Sequence, residues 1–334
     1  MARRYGHLCL CICLFAALQL SQAQPALSGA RVDRLDPALD NVVPVDAQIE
    51  KIASGFVFGE GPVWDHSGFL LFSDIPGNVI LKLTPDGRLT SFRKPSGYDG
   101  TDATPGAYVG SNGLTLDHQG RLTICETGNR RVTRVEKDGK LTVLADRFEG
   151  KRLNSPNDLV YKSDGALYFT DPPYGLPKGE HDPKKELPFS GVFRIAGGKL
   201  QLLTSSLNGP NGLAFSPDEK YLYVDNSDVA RKIWMRFELK PDGSLDQGNL
   251  FYDATPAKEE GVPDGMKVDR SGNVYSTGPG GLWILSPAGV HLGTIVLPEL
   301  PANCAWGDAD GKTLYMTART GLYRIRLKIA GVRP

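Results

Sequence analysis

The chain has 334 residues, with 38 basic and 38 acidic side chains and a formal net charge of zero. That balance gives no footing to nucleic acid or to an anionic membrane surface, either of which calls for a basic face. Its cysteines form no C-x-x-C pair, so a thiolate metal centre is excluded as well.

The first residues read as a targeting segment. Arg3 and Arg4 precede an apolar run over 8–20, broken only by Gln19, and Ser21-Gln22-Ala23 supplies small residues at a cleavage site. The run is too short to span a bilayer, which takes about 20 residues. Residues 1–23 are therefore expected to be a signal peptide, and the mature protein is expected to be exported, periplasmic or secreted. Cys9, Cys11 and Cys13 leave with the leader, so Cys125 and Cys304 remain. No second apolar run of membrane length follows. Residues 24–44 read as an N-terminal extension and 45–334 as one repeat domain.

That domain announces itself by repetition. A polar residue, a small residue and an alternating apolar strand begin at Glu60-Gly61-Pro62-Val63-Trp64, Asn112-Gly113-Leu114 and Asn157-Asp158-Leu159. The pattern returns at Asn211-Gly212-Leu213, Asp264-Gly265-Met266 and Asn303-Cys304-Ala305. In five copies a glycine of the hairpin turn follows at a fixed offset: Gly68, Gly120, Gly165, Gly272 and Gly311. The fourth copy turns through Pro217-Asp218-Glu219-Lys220 instead. A second strand comes next, as in Leu167-Tyr168-Phe169-Thr170, and further strands are predicted at 79–84, 132–136, 192–195, 283–286 and 322–328. Leading residues 39 to 54 positions apart leave room for four strands each. The predicted fold is all-β, a six-bladed propeller. An irregular sandwich would not keep its register through six copies. The segment 45–56 should close the ring by pairing with the last blade, which removes a free edge. In that arrangement Cys125 and Cys304 stand on separated blades and cannot form a disulfide.

The first strand of each blade lines the channel, so the six leading residues should share one level. Glu60, Asn112, Asn157, Asn211, Asp264 and Asn303 make a ring of two carboxylates and four amides with no Lys or Arg. Hard divalent cations take such oxygens, calcium above all. Zinc fits less well without His or Cys, although it stays open with magnesium and manganese. The chain carries no G-x-S-x-G nucleophile elbow after the leader. His66 and His118 fall in turns at the other end of the channel, and His181 and His291 are isolated.

These motifs, together with Lys151-Arg152-Leu153-Asn154-Ser155-Pro156-Asn157-Asp158 and Tyr168-Phe169-Thr170-Asp171-Pro172-Pro173-Tyr174-Gly175, resemble the gluconolactonase and regucalcin family of six-bladed propellers. The resemblance covers about 56–327 and lies nearest the bacterial gluconolactonases. It implies one catalytic divalent metal, usually calcium, held at the positions of Glu60, Asn211 and Asp264, with Asn157 on the metal or on its water and substrate. It also implies hydrolysis of a small lactone, most simply a sugar lactone such as glucono-1,5-lactone. One departure is Thr127, where many bacterial relatives carry His; a substrate contact there would alter the preferred lactone.

Asp264 is then the candidate general base as well as a ligand. Loops at 94–110, 126–131 and 172–190 should frame the mouth. They offer Arg130, Arg131 and Tyr174 to a polyhydroxylated substrate, beside Asn112, Asn157 and Asn303. Two rivals remain open on sequence: a broader lactonase or esterase of the paraoxonase kind, and a non-catalytic binding propeller with a structural metal.

Overall fold

A computed structural model describes residues 1 and 27–334. The expected signal peptide, apart from its first residue, and its expected cleavage site fall outside the described residues. Among those described, no helix is long and apolar enough to cross a membrane.

Six antiparallel sheets stand around one channel in chain order. Their innermost strands are Gly59–Asp65, Ser111–Leu116, Leu159–Tyr161, Pro210–Phe215, Met266–Val268 and Asn303–Gly307. Each begins within two residues of a leading residue of the repeat. In the first four blades the chain runs outward through four consecutive strands. The sixth is closed as expected: Ile49–Ser54 pairs with Gly321–Arg326, Ile49 opposite Ile325 and Ser54 opposite Gly321. Covering the last edge with the N-terminal strand joins both ends of the domain in one sheet.

The described part of the N-terminal extension packs on the propeller. Arg31–Arg34 adds a fifth strand to the fifth blade, with Val32 opposite Ile295. Leu39, Val42 and Val43 behind it are buried in the core shared by the last two blades. Those apolar residues were the available sign that this stretch packs.

Aromatic pairs join the blades across four of the six interfaces. Tyr168 meets Phe215 with ring centroids 4.9 Å apart, and Trp234 stacks on Trp283 at 5.4 Å. Tyr275 meets Trp306 at 4.9 Å, and Tyr315 stacks on Trp64 at 5.5 Å. Between the first two blades the packing is aliphatic, through Val63, Leu71, Leu114 and Ile124. Burying large rings edge-on or offset between twisted sheets is the main apolar stabilisation such a ring of sheets has available. Cys125 and Cys304 are both free and buried.

Candidate active site

Three inner strands carry a register shift just past the leading residue: between Glu60 and Val63, Ser111 and Leu114, and Pro210 and Leu213. A bulge re-aims the side chains beside it. It lets these strands turn their first polar residue to the channel mouth while the rest of the strand keeps its alternation.

The glycine that follows most leading residues has a steric cause. A Cβ at Gly61 would fall 2.1 Å from the Asn112 carbonyl oxygen, and one at Gly212 would fall 2.1 Å from that of Asp264. Adjacent blades come this close because the ring is narrow. Hydroxyls of the second strands hold the approach: Ser73 Oγ donates to the Asn112 carbonyl and Thr170 Oγ1 to that of Asn211, each at 2.7 Å.

The six leading residues do gather at one mouth, but they are not six equal oxygen donors. Glu60 is buried, and its Oε2 accepts from the Gly61 N–H at 2.6 Å and from Asn303 Nδ2 at 3.0 Å. Asn303 Oδ1 accepts from the Cys304 N–H at 2.8 Å, and Nδ2 reaches on toward Asp158 Oδ2 at 3.4 Å. Asn303 therefore presents nitrogen inward and orients Glu60. This corrects its reading as a substrate contact, because its amide is used up between two acids. Asn211 Nδ2 donates to Ser227 Oγ at 3.1 Å, which leaves its oxygen for the channel. Asn112 and Asn157 are buried, 8% and 5% exposed, with their backbone carbonyls against the neighbouring blades.

The two carboxyls are electrostatically uncomfortable without a cation. Burial, and then the Asp158 carboxylate, push Glu60 up to about 7 against the opposing Asn303 bond. Burial, then Glu60, Asp225 and Asp158, hold Asp264 well above the usual carboxylate range. Among the described residues neither acid pairs with a basic side chain. Lys267, one turn of strand below, sits 3.7 Å from Asp158 Oδ2 instead and donates to the Met266 carbonyl at 2.8 Å. Among the described residues no three His, Cys, Asp or Glu side chains are placed to hold one ion, so any metal here would meet two acids completed by amides. Such a set fits a hard dication, which would reverse the upward shifts by supplying opposite charge.

The rim departs from the sequence reading at its basic residues. Arg130 is buried, with Nε on the Leu153 and Asn154 carbonyls at 2.7 and 3.0 Å and Nη1 on the Lys184 carbonyl at 2.8 Å. It ties three loops together and does not face a substrate, a correction that follows from the unpaired carbonyls those loops must satisfy. Arg131 is held by Glu126 Oε2 at 2.7 Å and by Asp99 Oδ2 at 3.2 Å. Thr127 is buried too; its hydroxyl donates to the Pro156 carbonyl at 3.3 Å, next to Asn157, so it supports the ring from behind. Tyr174 keeps its place at the mouth, 41% exposed, its hydroxyl 3.4 Å from the Gly209 carbonyl and its ionisation opposed by burial and by Asp264.

Four residues of the site escaped the sequence reading. Asp158 and Lys267 fill the channel beneath the ring, Ser227 braces Asn211, and Tyr108 packs edge-on against Phe58 with centroids 5.3 Å apart. Burial opposes ionisation of Tyr108, and the charges of Glu60 and Asp264 add to that. The first two had a signal: Asp158 replaces the glycine of the repeat, and Lys267 is the one cation three places after a leading residue.

Fold and site together define a propeller hydrolase that acts on lactone esters. The chain belongs to the SMP-30/Gluconolactonase/LRE-like family, whose profile matches residues 58–320. It is 40% identical over 317 residues to the gluconolactonase of Zymomonas mobilis, covering 90% of this chain and 87% of that one. The solved gluconolactonase of Xanthomonas campestris superposes with a TM-score of 0.79 at 32% identity, covering 92% and 99% of the two chains. The calcium-binding protein regucalcin of Agrobacterium tumefaciens, at 22% identity and a TM-score of 0.68 over 85% and 95%, shares the fold.

Proposed function

We propose that the protein opens a sugar lactone, glucono-1,5-lactone being the simplest, at the channel mouth, with one divalent cation held by Glu60, Asn157, Asn211 and Asp264. The observation that carries this reading is the pair of carboxyls, Glu60 buried and Asp264 half-buried, facing one space with no basic partner among the described residues. Calcium is the first choice for an acid-and-amide oxygen set. When bound, such a cation supplies Lewis acidity and a lowered pKa for water.

The chain's own residues do the rest. Asp264, on the fifth blade, takes the proton of the attacking water as its oxygen bonds to the lactone carbonyl carbon. The bond from that carbon to the ring oxygen breaks, and the proton passes to the departing oxygen, giving hydroxy acid with no other reactant. A placed carboxylate contributes about 10²–10⁴-fold in this role. Asn303 holds Glu60 in place, while Asn112, Asn157 and Tyr174 face the space a polyhydroxylated ring would occupy.

The test is hydrolysis of glucono-1,5-lactone, corrected for the spontaneous reaction, by protein stripped of metal and reloaded with calcium, zinc, magnesium or manganese. Metal-restored turnover supports the reading; a protein that binds metal and turns over no lactone sinks it. Asp264→Asn with metal bound and full activity would remove the base role alone. We also propose export: mass spectrometry of the native mature protein should find Gln24 at its start.

A further inference from the structure

A groove of about 650 Å³ leaves the ring between the third and fourth blades. That is within the range of about 300–1,000 Å³ in which small-molecule sites fall. Its inner end is part of the ring's own bracing. Ser227, which lines the groove, accepts from Asn211 Nδ2 at 3.1 Å and donates to the Pro263 carbonyl, next to Asp264. Tyr174 stands at the junction, its seat made by Gly209, where a Cβ would fall 2.4 Å from the tyrosine oxygen. A one-ring lactone centred over Glu60 and Asp264 would leave the groove beyond Tyr174 unfilled.

The lining has a definite chemistry. Ser205 and Asn208 are exposed within it, and Asn208 Nδ2 donates to Asp228 Oδ2 at 3.1 Å, which leaves the amide oxygen free to accept. Glu180 accepts from Ser190 Oγ at 3.1 Å. Apolar faces of Pro173, Pro188 and Val229 alternate with these groups. Among the described residues no Lys, Arg or His lines the groove, whereas two carboxylates do: Glu180, which Lys185 pairs from outside the lining at 3.0 Å, and Asp228, which has no basic partner. Such a surface repels a phosphate, sulfonate or carboxylate and suits a neutral unit with hydroxyls around its edge and C–H faces above and below.

We propose that this groove is an extension subsite for a second, uncharged sugar unit, so that the enzyme takes glycosylated aldonolactones as well as the single ring. The proposal rests on the lactonase reading above. It identifies the groove's specificity as neutral and carbohydrate-like.

The experiment compares kcat/KM for four lactones on the metal-loaded enzyme: glucono-1,5-lactone, its 4-O-glucosyl form cellobiono-1,5-lactone, a 6-O-glycosyl form (melibiono-1,5-lactone) and 6-phosphoglucono-1,5-lactone. At least one disaccharide lactone should match or exceed glucono-1,5-lactone, and the phosphorylated one should fall about tenfold or more below it. Val229→Trp, which fills the groove from a position 75% exposed, should lower the favoured disaccharide by about tenfold or more and leave glucono-1,5-lactone within about twofold. Asn208→Ala should act in the same direction, more weakly. Disaccharide lactones turned over about a hundredfold worse than the single ring, or equally well in wild type and Val229→Trp, would overturn the subsite. Failure on glucono-1,5-lactone itself would overturn the lactonase reading instead, so the two failures are distinct.

Discussion

The two ends of the channel are built from the same six strands and have opposite characters. At the mouth, each strand has a carboxyl or an amide within two residues of its start. A few residues further along, the same strands present Trp64, Leu114, Leu159, Phe215, Val268 and Trp306 around a cavity of about 120 Å³. That far end is covered by the last residues described, with the Val332 N–H on the Val268 carbonyl at 2.9 Å and Arg333 Nη1 on the Asp308 carbonyl at 2.6 Å. The propeller itself asks only for the apolar end. Its mouth brings two acids close together, which costs stability, so the pair of carboxyls is best read as a feature of function placed on a scaffold stabilised elsewhere.

The largest effect expected from breaking this division is at Asp264. Asp264→Ala should lower kcat/KM for a sugar lactone by about 10³-fold or more, since it removes both the proposed ligand and the proposed base. Folding should survive it, and thermal unfolding of the metal-free protein should be no lower than that of wild type. Loss of activity accompanied by loss of the fold would mean that the acid is structural.

The converse change is Trp306→Ala at the far end. Removing a buried indole that packs on Tyr275 should cost about 3–5 kcal/mol in denaturant unfolding. The folded fraction should keep kcat/KM within about threefold. An activity loss as large as that of Asp264→Ala in folded protein would erase the distinction between the ends.

A third change sharpens the cost of the mouth. Metal-free Glu60→Gln should be more stable than metal-free wild type at pH 8, by ~1–3 kcal/mol, and should show little gain at pH 4. The sign follows from a folded pKa of about 7 against an unfolded value of 4.5. Between those values the native state holds the extra proton, so wild-type stability falls as pH rises through that window, and a neutral side chain does not follow it. Parallel stability curves for the two proteins would show that Glu60 is not strained by burial.

Much of this was legible in the sequence because a repeat reports on a ring. Six polar residues in one register had to face one axis, and the structure brings Glu60, Asn112, Asn157, Asn211, Asp264 and Asn303 together there. The orientation of each amide was not legible, because it depends on partners from other blades: Asn303 belongs to Glu60 only once the sixth blade stands beside the first. Arg130 misled for a related reason. A rim arginine looks like a substrate contact in sequence, but three loop carbonyls with no strand to pair with take its guanidinium. Lys267 and Asp158 broke the repeat and could have been marked on that ground. The fifth strand at Arg31–Arg34 had no repeat to reveal it.

The smallest effect expected comes from the turns at the far end, where His66 and His118 lie. His118 is exposed, and among the described residues His66 Nε2 meets the Pro334 carbonyl alone, at 3.0 Å. The channel separates both from Asp264, so neither has a route to the attacking water. The double variant His66→Ala with His118→Ala should change stability by about 0.5 kcal/mol or less per site. Its pH–rate profile for lactone hydrolysis should overlay that of wild type. A displaced limb near neutral pH in the double variant would show that a far-end imidazole reaches the reaction, and the functional separation of the two ends would then fail.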